Sequence, residues 1–234
     1  MRIHRVFISD LQTGEIVLKG HEAHHIAKVL RVNIGQDIKA FDGQGREALG
    51  TIQSVSDFQV ILHLQEPQTS PVEASVNISL AIALLKSDKL SDVVRQATEL
   101  GVVSIQLFIS KYCDVRELSS SKLERLRRIA QEATKQSGRS LVPVVHEAIR
   151  LETLNLSALT LVAHPYASAT LHDVLKRPCN TVTIITGPEG GLTEDEVKTL
   201  SQRGTTSIRL GARILRAETA PIALISAILL PDAI

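Results

Sequence analysis

Two short apolar runs in the last third of the sequence each lead into a glycine-containing bend, and these two points constrain the fold more than any other feature. Residues 182–185 are followed by residues 186–192 (TGPEGGL), and a second run, ending at Leu210, is followed by Gly211. Short apolar runs that lead into glycine predict buried strands followed by sharp bends. Ligands bind outside the carboxyl ends of strands in open α/β sheets, so we expect both bends to line one pocket.

From about residue 76 onward, runs typical of strands alternate with stretches of helical periodicity. Strands are predicted at residues 76–85, 103–109, 159–163 and 182–185. Helices are predicted from a Ser87 N-cap to Gly101, at residues 121–137, and from the capping box at residues 193–196 (TEDE). This alternation predicts an α/β fold with a mostly parallel sheet.

Residues 1 to about 70 have a different pattern, in which short strand-like runs are separated by turn residues. Strands are predicted at residues 3–8, 14–18, 37–41, 47–54 and 59–64, with a hairpin turn at 42–45 (DGQG) and one helix from about residue 22 to 30. The pattern predicts a small β-barrel domain with a helix. Residues 67–71 (PQTSP) are the best candidate for a linker to a second domain.

The composition excludes several classes of protein. With 44% apolar and 22% charged residues in a chain of 234, it is typical of a globular protein with one large or two modest domains. No apolar run reaches membrane-spanning length and no N-terminal signal pattern is found, so we expect a cytosolic protein. Cys113 and Cys179 fit no metal or redox spacing and are expected to be reduced thiols. His21 and His25 lie one helical turn apart, but no cysteine or acidic cluster completes a ligand set, so no metal site is expected.

The net charge of +1 does not indicate a nucleic-acid-binding protein, so any RNA contact must come from local clusters. Only 3% of residues are aromatic, which argues against a surface that holds single strands mainly by base stacking. On the helix at residues 121–137, an apolar face is flanked by a basic stripe of Arg125, Arg128, Lys135 and, if the helix continues, Arg139. Two interpretations stay open: a solvated face paired with Glu132, or an RNA-binding track.

A third loop, residues 164–168 (HPYAS), follows the predicted strand at 159–163. His164 is either a catalytic base or, as is more common for a histidine after a buried strand, a packing and hydrogen-bonding residue. The backbone of this loop is the better candidate for a pocket wall, because it also follows a strand end.

Residues 187–191 (GPEGG) and 210–220 (LGARILRAETA) closely resemble the two C-terminal motifs of the RsmE family. These are SPOUT-class methyltransferases that methylate N3 of a uridine in small-subunit ribosomal RNA. The resemblance extends over nearly the whole chain and includes residues 25–31, Gly35, Asp37, 99–101, 132–139 and Pro143.

The resemblance implies a fold, a cofactor and partners. The implied fold is α/β, with a C-terminal SPOUT domain at residues 71–234 that has a deep trefoil knot and a mostly parallel sheet, and a PUA-like RNA-binding β-barrel domain at residues 1–70. The methyl donor is S-adenosylmethionine, and the partners are the 16S ribosomal RNA of the small subunit and a second copy of the chain. SPOUT enzymes are generally homodimers, so the apolar helix at residues 221–230 is expected at the subunit interface, with burial in its own core as the alternative.

The resemblance also implies the site residues. Arg216 supplies positive charge for the anionic uridine, while Glu189 or Glu218 either accepts the N3 proton or holds an arginine in place. A carboxylate beside an arginine has a lowered pKa, which favours the holding role. The residues expected around the cofactor are Ala163, His164, Thr186, Gly187, Gly190, Gly191, Leu210, Gly211, Ile214, Leu215 and Thr219. Those expected to contact RNA are Lys28, Arg31, Arg125, Arg128, Gln136, Arg139 and Arg213.

The sequence departs from the family pattern at residues 110–115 (SKYCDV), where an Arg-Ser pair is more usual near Tyr112 and Cys113. Two other classes of protein were compared with this interpretation. A non-catalytic RNA-binding factor that kept the fold would not need the charged residues of the two C-terminal motifs. A dinucleotide-dependent oxidoreductase would need a G-x-G-x-x-G spacing, which residues 187–191 lack.

Overall fold

The computed structural model of the chain describes residues 3–29, 32–56, 58–174 and 180–229. The chain forms two compact units. The first comprises the residues up to Glu73 together with Thr134–Val142, and the second comprises Ala74–Ala133 together with the residues from Pro143 onward. The assignment of residues 1–70 and 71–234 to two domains stays a prediction.

The first unit is built on a six-stranded sheet. Its elements are β1 (His4–Phe7), β2 (Gly14–Lys19), α1 (Gly20–His24), β3 (Asp37–Phe41), β4 (Arg46–Val55), β5 (Gln59–Leu64) and β6 (Gln68–Thr69). The strand order is β1-β3-β4-β5-β2 with β6 paired to β4, and all pairs are antiparallel except β1 with β3. One face carries the core of this unit, whose most buried side chains include Ile38, Ala40, Ile52, Val60 and Leu62.

The five strands predicted for this region are present, each bound lying within one residue of the prediction. The hairpin turn is also confirmed, because Asp42 Oδ1 accepts the backbone N–H of Gln44 at 2.7 Å and that of Arg46 at 3.1 Å. The predicted linker contains β6, which pairs with β4. The predicted helix differs, since α1 ends at His24 and the chain continues as a π-helical turn at His25–Val29.

Arg139 was predicted to lie on an exposed RNA-binding stripe, but the structure places it in a buried ion pair. It follows the end of the helix at Ser137 and is only 2% exposed. Its Nε and Nη2 donate to Glu73 Oε2 at 2.9 and 2.7 Å, while the N–H groups of Ser140 and Leu141 donate to Oε1 at 3.1 Å. A buried, paired guanidinium holds residues of this unit together, so Arg139 does not belong with the exposed basic stripe.

The second unit is built on a seven-stranded sheet. Its elements are β7 (Asn77–Ala83), α2 (Lys89–Glu99), β8 (Ser104–Ile109), α3 (Ser120–Ser137, which continues into the first unit from Thr134), β9 (Val144–Arg150), β10 (Thr160–Ala163), β11 (Ala169–Thr170), α4 (Leu171–Val174), β12 (Thr181–Thr186), α5 (Glu194–Gln202), β13 (Thr206–Arg209) and α6 (Thr219–Leu229). The strand order is β11-β13-β10-β12-β7-β8-β9, and every neighbouring pair is parallel. The predicted parallel sheet is confirmed, β9 and β11 are additional strands, and the trefoil knot stays a prediction.

One of the predicted helix caps is wrong. Ser87 has a φ of 55° and forms the bend before α2, whose N-cap is Asp88. The other end of α2 is as predicted, because Gly101 follows the C-cap with a φ of 108°. The capping box of α5 is confirmed, since Thr193 Oγ1 accepts the N–H of Glu196 at 3.2 Å and Glu196 Oε2 accepts that of Thr193 at 2.8 Å.

The apolar faces of α3 and α6 are buried. In α3 the buried face comprises Leu123, Leu126, Ala130 and Ala133, as the predicted apolar face requires. In α6 it comprises Pro221, Leu224, Ile225 and Ile228, and this helix contacts α2, β7 and β12. One face of α6 is therefore buried within its own unit, and Leu230 lies outside the described residues. Across the described ranges, no helix is both long and apolar enough to cross a membrane.

Candidate active site

Five neighbouring strands bring their following loops to one edge of the parallel sheet. The order β13-β10-β12-β7-β8 places their carboxyl ends side by side, because parallel strands all run the same way. We call residues 164–168, after β10, the histidine loop, residues 187–192, after β12, the glycine loop, and residues 210–218, after β13, the arginine loop. Since β10 lies between β12 and β13, the histidine loop begins between the other two.

These three loops line a cavity of about 530 Å³. The predicted site residues that line it are Glu189, Arg213, Arg216, Glu218, Ala163, His164, Thr186, Gly187, Gly190, Gly191, Leu210, Ile214 and Leu215. Gly211 and Thr219 are not among the lining residues: Gly211 forms the bend at the start of the arginine loop with a φ of 80°, and Thr219 begins α6. The two bends expected to share a pocket do line one cavity, while the role of each residue stays a prediction.

The wall formed by the glycine loop is made of backbone, because side chains do not fit there. A Cβ at Gly190 would lie 2.8 Å from Tyr112 Cβ, and a Cβ at Gly187 would lie 3.0 Å from Leu192 Cγ. Gly191 has a φ of 75°, which L side chains rarely adopt. A ligand in the cavity can therefore approach the main chain of this loop closely.

The histidine loop is fixed by hydrogen bonds and ring packing. The His164 N–H donates to the carbonyl of Ile208 at 2.9 Å, and Arg209 Nη1 donates to the carbonyl of Ala167 at 3.0 Å. The His164 ring contacts the Tyr166 ring edge to face, with centroids 5.9 Å apart. These contacts favour the packing interpretation of His164 over that of a catalytic base.

One buried polar atom in the cavity wall lacks a partner. Thr186 is 1% exposed, and its Oγ1 makes no hydrogen bond within the part of the chain that the structure describes. An unpaired buried hydroxyl costs about 1–3 kcal/mol, so such atoms are uncommon unless a ligand or water completes the bond. Thr186 Oγ1 is therefore a hydrogen-bonding atom of the cavity wall that no described residue uses.

A lysine that the sequence reasoning missed joins the two glutamates of the cavity. Lys89 Nζ lies 3.3 Å from Glu189 Oε1 and 3.4 Å from Glu218 Oε2. The side chains of Lys89, Glu189 and Glu218 are 32%, 24% and 25% exposed, so water screens their charges only in part. Lys89 is the first residue of α2 and its two partners lie far along the chain, so no local pattern in the sequence identified it.

Glu189 is held as a carboxylate. Burial raises the pKa of Glu189, but the N–H groups of Glu189 itself and of Lys86, together with the Lys89 ammonium, lower it by more, to below its ordinary value of 4.5. A lowered pKa makes a weak base, which favours the orienting role for Glu189. Glu218 differs, because its Oε2 is buried and makes no hydrogen bond among the described residues, although Lys89 lies nearby.

The two arginines of the arginine loop face the cavity without a partner. Arg213 and Arg216 are exposed, and across the described residues neither side chain makes a hydrogen bond or an ion pair. The carbonyl of Arg216 accepts the N–H groups of Thr219 and Ala220 at 2.9 Å, which fixes its backbone at the start of α6. The guanidinium groups are therefore available to an anionic ligand.

The remaining residues predicted to contact RNA lie outside the cavity. Lys28, Arg128 and Gln136 are exposed, and Arg31 is outside the described residues. Arg125 is exposed and its Nη2 lies 3.1 Å from Asp88 Oδ1. Arg125 and Arg128 of the basic stripe are thus solvent-facing, and contact of the stripe with RNA stays a prediction.

The sequence predicted no metal site and two reduced thiols. Within the described ranges, no three His, Cys, Asp or Glu side chains gather as a metal site would require. Cys113 is a buried free thiol, and Cys179 lies outside the described residues.

The fold and the cavity match known families. A family model described as an RNA methyltransferase domain matches residues 72–229, and one described as an RNA methyltransferase PUA domain matches residues 18–65. Together with a cavity at the carboxyl ends of a parallel sheet, these matches define an RNA methyltransferase-type catalytic domain joined to a PUA domain.

Individual relatives identify the family more closely. "Ribosomal RNA small subunit methyltransferase E" of Rickettsia conorii is 33% identical over 235 residues, covering 97% of this chain and 95% of the relative. The Bacillus subtilis protein of that name is 34% identical over 228 residues, covering 90% of this chain and 88% of the relative. The crystal structure of the Neisseria gonorrhoeae enzyme bound to S-adenosyl methionine matches with a TM-score of 0.90 at 30% identity, covering 98% of each chain. The chain belongs to the ribosomal RNA small subunit methyltransferase E family, which confirms the RsmE resemblance.

Proposed function

We propose that this protein transfers a methyl group from S-adenosylmethionine to N3 of a uridine in 16S ribosomal RNA of the small subunit. The single observation that carries the proposal is the cavity, which combines a glycine-backbone wall, an unpaired buried hydroxyl and two unpaired arginines in a chain of this family. Its volume of about 530 Å³ suits a small-molecule cofactor.

The residues around the cavity fit S-adenosylmethionine. The cofactor, when bound, supplies an electrophilic methyl group on a sulfonium. Gly187, Gly190 and Gly191 let the main chain approach a nucleoside closely, and Thr186 Oγ1 offers a hydrogen bond that no described residue uses. The apolar side chains of the arginine loop, Ile214 and Leu215, complete the wall.

Uridine N3 is a poor nucleophile until it loses its proton. Each pKa unit above the working pH costs about 1.4 kcal/mol, so a site that stabilises the anionic base lowers the barrier. Arg216 is the group for this role, because its guanidinium lines the cavity and is not already paired. Glu189, with its lowered pKa, orients Lys89. Glu218 is the better candidate to accept the proton, because its buried Oε2 lies 3.4 Å from Lys89 Nζ but makes no hydrogen bond among the described residues.

The test is Arg216→Ala. Methyl transfer to small subunits is expected to be abolished, while calorimetry gives a nearly unchanged affinity for S-adenosylmethionine. Arg95→Ala is the matched control, because Arg95 is an arginine of α2 that is paired locally with Asp92 and Glu99. Near-normal turnover by Arg216→Ala would contradict the catalytic role. A wild-type protein that binds no S-adenosylmethionine would instead favour a non-catalytic RNA-binding factor.

We also propose that the protein acts on the small subunit in the cytoplasm as a homodimer. Tyr166 is 79% exposed and Ile214 is 70% exposed, and both line the cavity, so a second copy of the chain would remove apolar surface from water there. Light scattering is expected to give twice the mass of the chain at micromolar concentration. A monomer under these conditions would contradict the dimer.

A further inference from the structure

A second cleft adjoins the cavity. It measures about 460 Å³ and is lined by the glycine loop and by the loop after β8, residues 110–116, which we call the tyrosine loop. Its lining residues are Lys111, Tyr112, Cys113, Asp114, Arg116 and Gly190. Gly190 lines both the cleft and the cavity, so a group in the cleft lies beside the cavity.

The tyrosine loop is rigid, because hydrogen bonds hold it from several sides. The Lys111 N–H donates to Glu196 Oε1 at 2.7 Å, which ties the loop to the start of α5. Arg116 donates to the carbonyls of Ser110 and Lys111 at 3.1 and 2.7 Å, and so closes the loop on itself. The Cys113 N–H also donates to the carbonyl of Ser110, at 3.2 Å.

Tyr112 stands on this fixed loop with half of its surface exposed. Its Cβ side is so close to Gly190 that a Cβ there would lie 2.8 Å away, whereas the residue as a whole is 50% exposed. An exposed aromatic ring on a rigid loop presents a flat apolar face at little entropic cost. Such a face suits a nucleobase, since base and aromatic rings stack in single-stranded RNA recognition.

The charges around the ring suit a nucleotide. Lys86 Nζ lies 2.7 Å from Asp114 Oδ2, which neutralises the one carboxylate of the cleft. Arg116 already donates to two backbone carbonyls, so Lys111, an exposed lysine next to the tyrosine, is the more available cation for a phosphate.

We propose that this cleft binds one nucleotide of the RNA substrate, with its base stacked on Tyr112 and its phosphate on Lys111. The inference rests on the proposed function, because it assumes a single-stranded RNA segment entering the neighbouring cavity. It adds a substrate-positioning residue that neither of the two C-terminal motifs contains.

A single tryptophan makes the stacking directly visible. The chain contains no Trp, so Tyr112→Trp carries one fluorophore at the cleft. Adding a ten-nucleotide oligouridylate is expected to quench its emission, whereas a phosphate-matched abasic oligomer of the same length leaves it nearly unchanged. Equal quenching by both oligomers, or quenching by neither, would overturn the stacking.

Kinetics then separate this inference from the proposed function. Tyr112→Ala is expected to raise the KM for small subunits roughly tenfold to a hundredfold, the range for loss of one base–aromatic stack, while Tyr112→Phe stays close to wild type. The affinity for S-adenosylmethionine, measured by calorimetry, is expected to change less than about twofold and shows that the variants are folded. An unchanged KM in Tyr112→Ala with active wild-type enzyme overturns the cleft alone, whereas an inactive wild-type enzyme overturns the proposed function.

Discussion

Lys89 is the residue whose removal tests the electrostatics of the cavity most directly. Replacing it by Met keeps most of the side-chain volume and removes the ammonium that lies 3.3 Å from Glu189 and 3.4 Å from Glu218. The variant leaves two partly buried carboxylates facing each other without a cation. We expect the folded state to be destabilised, and more so at neutral than at acid pH.

The magnitude follows from the two distances. Unit charges about 3.3 Å apart attract by about 1.3 kcal/mol in water and about 5 kcal/mol at an effective dielectric constant of 20. Lys89 is 32% exposed, so screening and side-chain ordering leave about 1 kcal/mol for each contact. Removing a cation from the first position of α2 also relieves its unfavourable interaction with the helix dipole, which stabilises the folded state by about 0.3–1 kcal/mol. The net loss is about 1–2 kcal/mol, which corresponds to a Tm lower by about 2–8 °C in a chain of this size.

The pH dependence has a definite sign. Folding lowers the pKa of Glu189 from 4.5, so its carboxylate stabilises the protein above that pH, and the contribution is lost as the pH falls through the lower folded-state pKa. Part of this stabilisation comes from the interaction of the Glu189 carboxylate with Lys89. Urea unfolding of wild type and Lys89→Met is therefore expected to differ at pH 7 and to converge in acid well below pH 4.5.

Two further variants control this measurement. Lys198→Met removes an exposed lysine of α5 and is expected to change the free energy of unfolding by less than about 0.5 kcal/mol. In a double-mutant cycle with Glu189→Gln, the double mutant is expected to lose less unfolding free energy than the sum of the losses of the two single variants. If Lys89→Met is as stable as wild type at pH 7, or if its loss persists unchanged in acid, the ion-pair reasoning is refuted.

Two other substitutions test the buried polar groups. Thr186→Val removes the unpaired Oγ1, so the unliganded protein is expected to be at least as stable as wild type in thermal melts. Its affinity for S-adenosylmethionine, measured by calorimetry, is expected to be about tenfold weaker. An unchanged affinity would contradict a hydrogen bond to the cofactor. Glu73→Ala removes the carboxylate that accepts from Nε and Nη2 of the buried Arg139 and is expected to cost about 3 kcal/mol in urea unfolding. A loss below about 0.5 kcal/mol would contradict the importance of that pair.

Most of the secondary structure followed from local patterns. Five of the six strands of the first unit were predicted to within one residue because each combines apolar alternation with turn residues at its ends, whereas β6 lies in the segment predicted as a linker. The bends at Gly187 and Gly211 were recognisable because few other residues allow the chain to turn so sharply after a buried strand. Parallel strand order then places both bends at one edge, so the cavity could be predicted from the sequence.

What was missed depends on contacts between residues far apart in the chain. Lys89 meets Glu189, one hundred positions later, and Arg139 meets Glu73, sixty-six positions earlier. No local pattern distinguishes a lysine in a cavity from one in solvent, or a buried arginine from an exposed one. The Ser87 error has a local cause, because Ser and Asp are about equally good N-caps and adjacent candidates cannot be separated without the backbone angles.

The cavity contains two kinds of cation, one paired with carboxylates and one without a partner among the described residues. The proposed function gives each of them a different role. Lys89 lies between Glu189 and Glu218, whereas the part of the chain that the structure describes leaves Arg216 without a partner. If Lys89 were absent, the two carboxylates would compete with an anionic uracil for the guanidinium, and an arginine already paired with a glutamate stabilises a developing anion less. On the proposed function, Lys89 would hold both glutamates and so keep Arg216 available for the base. Lys89→Met is therefore expected to lower turnover as well as stability, and a variant with reduced stability but full turnover would show that Arg216 needs no such protection.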